Sequence, residues 1–185
     1  MTNVGGEEQR VEILSEQELR RTLMRLASQV LESVPNSSEL LLLGIPTRGV
    51  HLARVLANEL HVQTGHPIAQ GSLDPTFHRD DLERVGTRMV QPTDLPVCVE
   101  GRQVLLVDDV IFTGRTVRAA IEALQAWGRP QRVMLLVMVD RGHRELPIQP
   151  DFCGRYVPSR RTETIELRLS DVDDEEGVFL RPMSS

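Results

Sequence analysis

The chain has 185 residues, 40% of them hydrophobic and 26% charged, with a formal net charge of −6. That length and balance describe one folded domain able to bury a real core, and the negative charge argues against indiscriminate nucleic-acid binding through bulk charge, though not against a local basic face. Aromatics are only 3%, so the core is expected from Leu, Val, Ile and Ala, and no apolar run approaches the roughly 20 residues of a membrane-spanning helix.

Met1–Arg10 is polar and contains glycine, and is expected to fray. The first helix is expected to start at Ser15. Ser15 and Glu18 have capping-box spacing, and Leu19, Leu23, Leu26 and Val30 form one apolar stripe that Pro35 ends. Arg20, Arg21 and Arg25 lie on or beside the opposite face. Leu40–Ile45 reads as a buried strand, and Pro46-Thr47-Arg48-Gly49 turns into a helix through Val50, Ala53, Leu56, Ala57 and Leu60. In an open α/β sheet such a loop faces the ligand crevice. Arg48 is thereby placed to meet an anion such as a diphosphate, with Thr47 and Gly49 as neighbouring donors. Ile68–Leu73 is a further strand. Residues 74–103 are polar and lack sustained periodicity, which suits a long flexible hairpin or lid, or equally a plain solvated excursion.

Val104 to Thr116, VLLVDDVIFTGRT, carries the chemistry. An apolar run meets Asp108 and Asp109; Val110, Ile111 and Phe112 follow; then comes the turn Thr113-Gly114-Arg115-Thr116. Val117, Ala120, Ile121 and Leu124 resume at helical spacing. The pattern is a buried strand, a loop at its carboxyl end and a helix N-terminus. Unpaired N–H groups at that terminus suit a phosphate, and the carboxylates suit vicinal sugar hydroxyls. A D-D pair alone could be an ordinary capped loop; the whole string resembles the phosphoribosyl diphosphate (PRPP) signature of type I phosphoribosyltransferases. It lacks the Walker and dinucleotide-binding glycine patterns.

After this helix, Trp127-Gly128-Arg129-Pro130 turns the chain, and Val133–Val139 is another buried strand. Strands alternating with helices from Leu40 to Val139 predict a parallel sheet flanked by helices. Phe152–Val157 and Ile165–Leu169 read as short strands of a hairpin cap, with Ser159-Arg160-Arg161 between them. Residues 140–170 are thus assigned to a small hood and 171–185 to an acidic, solvated tail. The five histidines have no metal-ligand spacing. Cys98 and Cys153 are not closely spaced and no signal-peptide pattern is visible, so reduced thiols in the cytoplasm are expected.

GIPTRGVHLA, TFHRDDL, VLLVDDVIFTGRTVRAAIEAL and VDRGHRELPI, in this order, resemble the PyrR family from about Ile13 to Asp173. That family regulates pyrimidine operons and has uracil phosphoribosyltransferase activity. The resemblance implies a type I phosphoribosyltransferase fold with a small hood and a flexible lid, and the reaction uracil + PRPP → UMP + diphosphate. It places Thr47 and Arg48 on the diphosphate, and Arg79 in or beside the lid. Asp108 and Asp109 fall on the ribose hydroxyls, and Thr113–Thr116 on the 5′-phosphate. Mg²⁺ would be held mainly through PRPP oxygens, and Arg141 and the backbone around Ile165 would border the uracil. Purine-using relatives commonly carry Asp where this chain has Phe112, which favours a pyrimidine. Family members often have Tyr at Phe112 and at His78, so two hydroxyls are missing.

The same resemblance implies uridine-nucleotide-dependent binding of a pyrimidine operon leader mRNA, with UMP or UTP as the nucleotide. His143 and Arg144 match the family's regulatory face, Arg25 is retained, and Arg160 and Arg161 add charge. Met24, Ser28 and Ser33 depart from family Thr, His and Arg. A homodimer or a higher assembly of dimers is implied, with no membrane partner. The alternatives are a uracil salvage enzyme that has lost RNA regulation, and a purine phosphoribosyltransferase.

Overall fold

Three leucine- and valine-rich runs become the centre of one parallel sheet. In the computed structural model, which describes residues 10–80 and 91–183, these are β2 (Leu40–Gly44), β4 (Gln103–Ile111) and β5 (Arg132–Asp140). The edges are β3 (Ala69–Ser72) and β6 (Phe152–Tyr156), giving the order β3-β2-β4-β5-β6 with every pairing parallel. Continuous apolar runs suit such strands because both faces are covered. Successive side chains point to opposite faces, and the core divides accordingly. Leu40, Leu42, Leu105, Val107, Met134 and Leu136 face one apolar layer; Leu41, Leu43, Val104, Leu106, Leu135 and Val137 face the other.

Helices α1 (Glu16–Ser33) and α2 (Arg48–Thr64) pack on the first face through Leu19, Leu23, Leu26, Leu52 and Leu56. Helix α3 (Arg115–Gln125) covers the second through Val117, Ala120 and Leu124. The Ser15 capping box forms as its spacing predicts. The Ser15 hydroxyl accepts from the Glu18 N–H, and Glu18 accepts from the Ser15 N–H at 2.9 Å.

The hood differs from its sequence-based boundaries. It is a three-stranded antiparallel sheet of β1 (Val11–Ser15), β8 (Gly177–Pro182) and β7 (Glu163–Arg168), with β8 in the centre. β6, expected as half of a hairpin cap, instead extends the main sheet beside β5, and β7 finds β8 as its partner. Within the expected acidic tail at 171–185, the described residues 171–183 do not form a solvated tail. Their carboxylates meet cations of the core and hood: Asp171 pairs with Arg54, Asp173 with Arg48, Glu175 with Arg10 and Arg168, and Glu176 with Arg20. Val178 and Phe179 then enter the core.

The middle of the expected lid, residues 81–90, lies outside the described residues, as do residues 1–9 of the expected frayed terminus. The described residues on either side of 81–90 are joined at Asp74. Its carboxylate accepts from the Thr76 N–H at 2.8 Å and the Gln91 N–H at 2.5 Å, and its own N–H donates to Thr93 Oγ1 at 3.2 Å.

Candidate active site

The carboxyl ends of β2 and β4 open onto one crevice, as the topology requires. Asp108 and Asp109 lie near the carboxyl end of β4. Asp108 is buried; its Oδ1 accepts from the Asp109 N–H at 2.9 Å, and Asp109 Oδ1 accepts from the Val110 N–H at 2.8 Å. Both carboxylates line a cavity of about 190 Å³ with Thr47, Arg48, Arg79, Val110 and Thr116. An adjoining cavity of about 350 Å³ is bounded by Arg79, Asp108, Val110–Val117 and Glu145. The residues expected on the diphosphate and those expected on the 5′-phosphate therefore share one crevice, and Arg79 lines both parts.

The geometry of the expected phosphate cradle, Thr113–Thr116, follows from local sequence. Gly114 is the N-cap of α3 with φ of 91°, a left-handed conformation that a Cβ disfavours. It turns the strand sharply into the helix, and Arg115, Thr116 and Val117 of the first turn of α3 line the crevice. The Thr113 hydroxyl accepts from the Arg115 N–H at 3.3 Å. Gly49, at the start of α2, packs against β4 so closely that a Cβ there would stand 2.5 Å from the Val107 carbonyl oxygen. This approach sets Thr47 and Arg48 beside the two aspartates. The Pro46–Thr47 peptide is cis.

The cradle is also joined to the stretch after β5. The Thr113 carbonyl accepts from the N–H groups of Glu145 and Leu146, and Arg115 pairs with Glu145 at 2.9 Å and Asp80 at 2.6 Å. Hydrogen bonding to Glu145 foremost, then the charge of Asp80, holds the Arg115 pKa above its ordinary value.

On the expected base side, the Arg141 guanidinium lies 4.3 Å from the centroid of the Phe112 ring. It donates to Ser159 Oγ and to the carbonyls of Arg160 and Glu163. Burial pushes its pKa down, with Glu163 opposing. Arg141 therefore bolts the sheet to the hood and reaches the crevice through its stack on Phe112. Ile165 is buried in β7, opposite Leu180.

The residues expected on the RNA face are dispersed. His143 sits edge-on to Phe112, with ring centroids 5.5 Å apart, and its Nε2 lies 2.5 Å from the Ser159 carbonyl oxygen. Arg144 points inward. Its guanidinium donates to Ile148 O and Phe112 O, both at 2.8 Å, and pairs with buried Asp140 at 2.6 Å. Arg25 is exposed on α1 and donates to the Gly154 carbonyl of β6. Arg160 and Arg161 are exposed on the loop before β7, with Arg161 3.7 Å from Glu145. Sequence reasoning missed the roles of Asp140, which ends β5 and pairs with Arg144, of Ser159, which meets Arg141 eighteen residues away, and of Asp74, which ties Thr76 to Gln91 and Thr93.

Among the described residues no cluster of three or more His, Cys, Asp or Glu side chains could hold a metal ion. Asp108 and Asp109 supply two carboxylates at the crevice. That donor set fits a Mg²⁺ that takes its other ligands from substrate oxygens and water. No described helix is long and apolar enough to cross a membrane.

Fold and crevice together define a phosphoribosyl transferase domain, and the family of that description matches residues 9–155. Proteins named bifunctional protein PyrR are the similar curated relatives. That of Thermosynechococcus vestitus is 50% identical over 97% of this chain and 98% of its own, and that of Microcystis aeruginosa is 49% identical over 93% and 97%. The chain belongs to the PyrR family of phosphoribosyl transferase domain proteins. Among solved structures, a hypoxanthine-guanine phosphoribosyltransferase from Bacillus anthracis superposes with a TM-score of 0.71 at 16% identity, over 96% of this chain and 100% of that one. A hypoxanthine phosphoribosyltransferase from Trypanosoma cruzi gives 0.73 at 16%, over 95% and 96%. At such identities the likeness is one of fold.

Proposed function

We propose that this protein catalyses uracil + PRPP → UMP + diphosphate and regulates pyrimidine expression by binding leader mRNA when a uridine nucleotide is bound. The observation that carries the enzymatic half is the single crevice that joins Thr47 and Arg48, the Asp108–Asp109 pair and the Thr113–Thr116 cradle. Near-half identity to PyrR proteins over almost the whole chain supports it.

Transfer breaks the bond between the ribose anomeric carbon and the diphosphate and forms one to a uracil ring nitrogen, whose proton is lost. Positive charge develops on the ribose ring and negative charge on the leaving group. Asp108 and Asp109 hold the ribose hydroxyls and place negative potential near the ring, while Arg48 and Arg79 stabilise the departing diphosphate. The N–H groups and hydroxyls of Thr113–Thr116 fix the 5′-phosphate, so the sugar is held at both ends during the transfer. Asp108 and Asp109 would hold a Mg²⁺ that takes its other ligands from PRPP oxygens, and its charge would offset that of the departing diphosphate. Phe112, stacked under Arg141, forms an apolar wall without the carboxylate that would meet a purine ring. Closure of the lid over the crevice excludes water.

In the regulatory half, Arg25, Arg160 and Arg161 are the exposed members of the expected RNA face and can meet RNA phosphates. His143 and Arg144 support that face from within by fixing the loop after β5. The protein acts in the cytoplasm as a homodimer or an assembly of dimers, which light scattering after size exclusion would read.

Two assays test the proposal. Turnover of uracil with PRPP and Mg²⁺, and none with hypoxanthine or guanine, supports the enzyme; purine turnover in its place rejects it. UMP-strengthened retardation of the protein's own pyrimidine leader RNA at physiological salt supports the regulator. No shift at low salt, with or without UMP, leaves a salvage enzyme.

A further inference from the structure

Arg48 opens α2 and lines the crevice beside Asp108, Asp109 and Thr116. Among the described residues its side chain has two partners, and both are hood carboxylates. Nη2 donates to Asp173 Oδ1 at 2.9 Å and lies 4.0 Å from Glu166 Oε1. Nε is buried without a hydrogen-bond partner. Asp173 is fixed in turn: its Oδ2 accepts from the Leu169 N–H at 3.0 Å, and its own N–H donates to the Leu169 carbonyl at 2.7 Å. Neither hood carboxylate borders the crevice itself. They reach Arg48 from the hood side and grip Nη2 of a planar fork on a side chain that lines the crevice.

We propose that Asp173 is a positioning residue for Arg48: the hood holds the guanidinium ready for the diphosphate of PRPP, so that hood and diphosphate loop bind substrate as one unit. The proposal rests on the reading of Arg48 as a diphosphate ligand given above. An arginine without this partner would have to be ordered by the ligand, which weakens binding. Repulsion between the carboxylate and the diphosphate works in the opposite sense, so the sign of the effect decides the matter.

The test is calorimetric titration of wild type, D173N, R48Q and the double variant, with PRPP plus Mg²⁺ and separately with UMP, which has no diphosphate. Asn keeps an oxygen for the Leu169 N–H while removing the charge. D173N should weaken PRPP binding on the order of three- to tenfold and leave UMP binding within about twofold. In the R48Q background it should change PRPP binding by less than about twofold, because the effect runs through Arg48. Glu166→Gln, at the longer contact, should act in the same direction but less, and reads the same device if D173N does not fold. Unchanged or tighter PRPP binding by D173N overturns the proposal, as does an equal loss of UMP and PRPP binding, which would mark general damage to the hood. Wild-type protein that binds UMP but not PRPP overturns the diphosphate reading of Arg48 itself.

Discussion

Arg144→Ala separates an internal role for this side chain from an RNA-contacting one. The guanidinium is 13% exposed and its Asp140 partner 11%. It also donates to the carbonyls of Ile148 and Phe112. Truncation leaves the Asp140 carboxylate buried with only the Gly142 N–H at 2.9 Å as a partner among the described residues. Removing one member of such a buried pair costs about 3–5 kcal/mol, a large share of a typical total of roughly 5–15 kcal/mol. For a chain of this size each kcal/mol lowers the melting temperature by about 2–4 °C, so a fall of roughly 6–20 °C is expected. Circular dichroism melts measure it, with urea titration as a second reading. Arg161→Ala, at 63% side-chain exposure, is the control and should stay within about 0.5 kcal/mol of wild type. The pair D140N with R144M should recover part of the loss, because no charge is then buried alone. An R144A protein that melts within about a degree of wild type would refute the internal role, and would return the guanidinium to the RNA face.

Asp109→Asn should fold normally and lose at least about a hundredfold in turnover, since it removes negative charge from beside the developing ribose cation; wild-type turnover in that variant would count against the ribose assignment. Gly49→Ala should cost about 1–3 kcal/mol and weaken PRPP binding, because its Cβ would press on the Val107 carbonyl oxygen and displace Arg48; a thermal melt and a PRPP titration check both. Asp173 and Glu175 sit below the ordinary carboxylate range. Burial raises Asp173, but the Leu169 N–H and Arg48 outweigh it, and the Arg10 hydrogen bond leads for Glu175. A depressed folded-state pKa gives stability that is fully present above the unfolded value of about 4 and is lost as pH falls through the folded value. The melting temperature should therefore decline below about pH 4, less steeply in D173N; identical slopes would exclude the Asp173 contribution.

The parallel sheet was legible because burial on both faces leaves uninterrupted apolar runs, as in Leu40–Gly44 and Val133–Val139. The crevice was legible because Asp108 to Thr116 packs strand end, turn and helix start into consecutive residues. The hood was not. Gly177–Pro182 is short and follows an acidic run, and nothing in that run tells a solvated carboxylate from one paired with Arg10, Arg48 or Arg54 far away in the chain. β6 is equally short and mixed, an edge strand whose pattern does not distinguish the main sheet from a cap. Arg144 reads as a surface cation beside His143; only the fold reveals that Asp140, Phe112 and Ile148 surround its guanidinium.

The placement of β8 sets an order of assembly. The five-stranded sheet has all its strands once Tyr156 has been made, whereas β1 waits for a partner that comes after every other described element. A chain emerging from the ribosome can thus pack its sheet, α2 and α3 while Val11–Ser15 is still an unpaired strand edge. Arg48 receives its Asp173 contact only once residue 173 has been made, so a nascent chain short of that point would present Arg48 and the Thr113–Thr116 turn without the hood beside them.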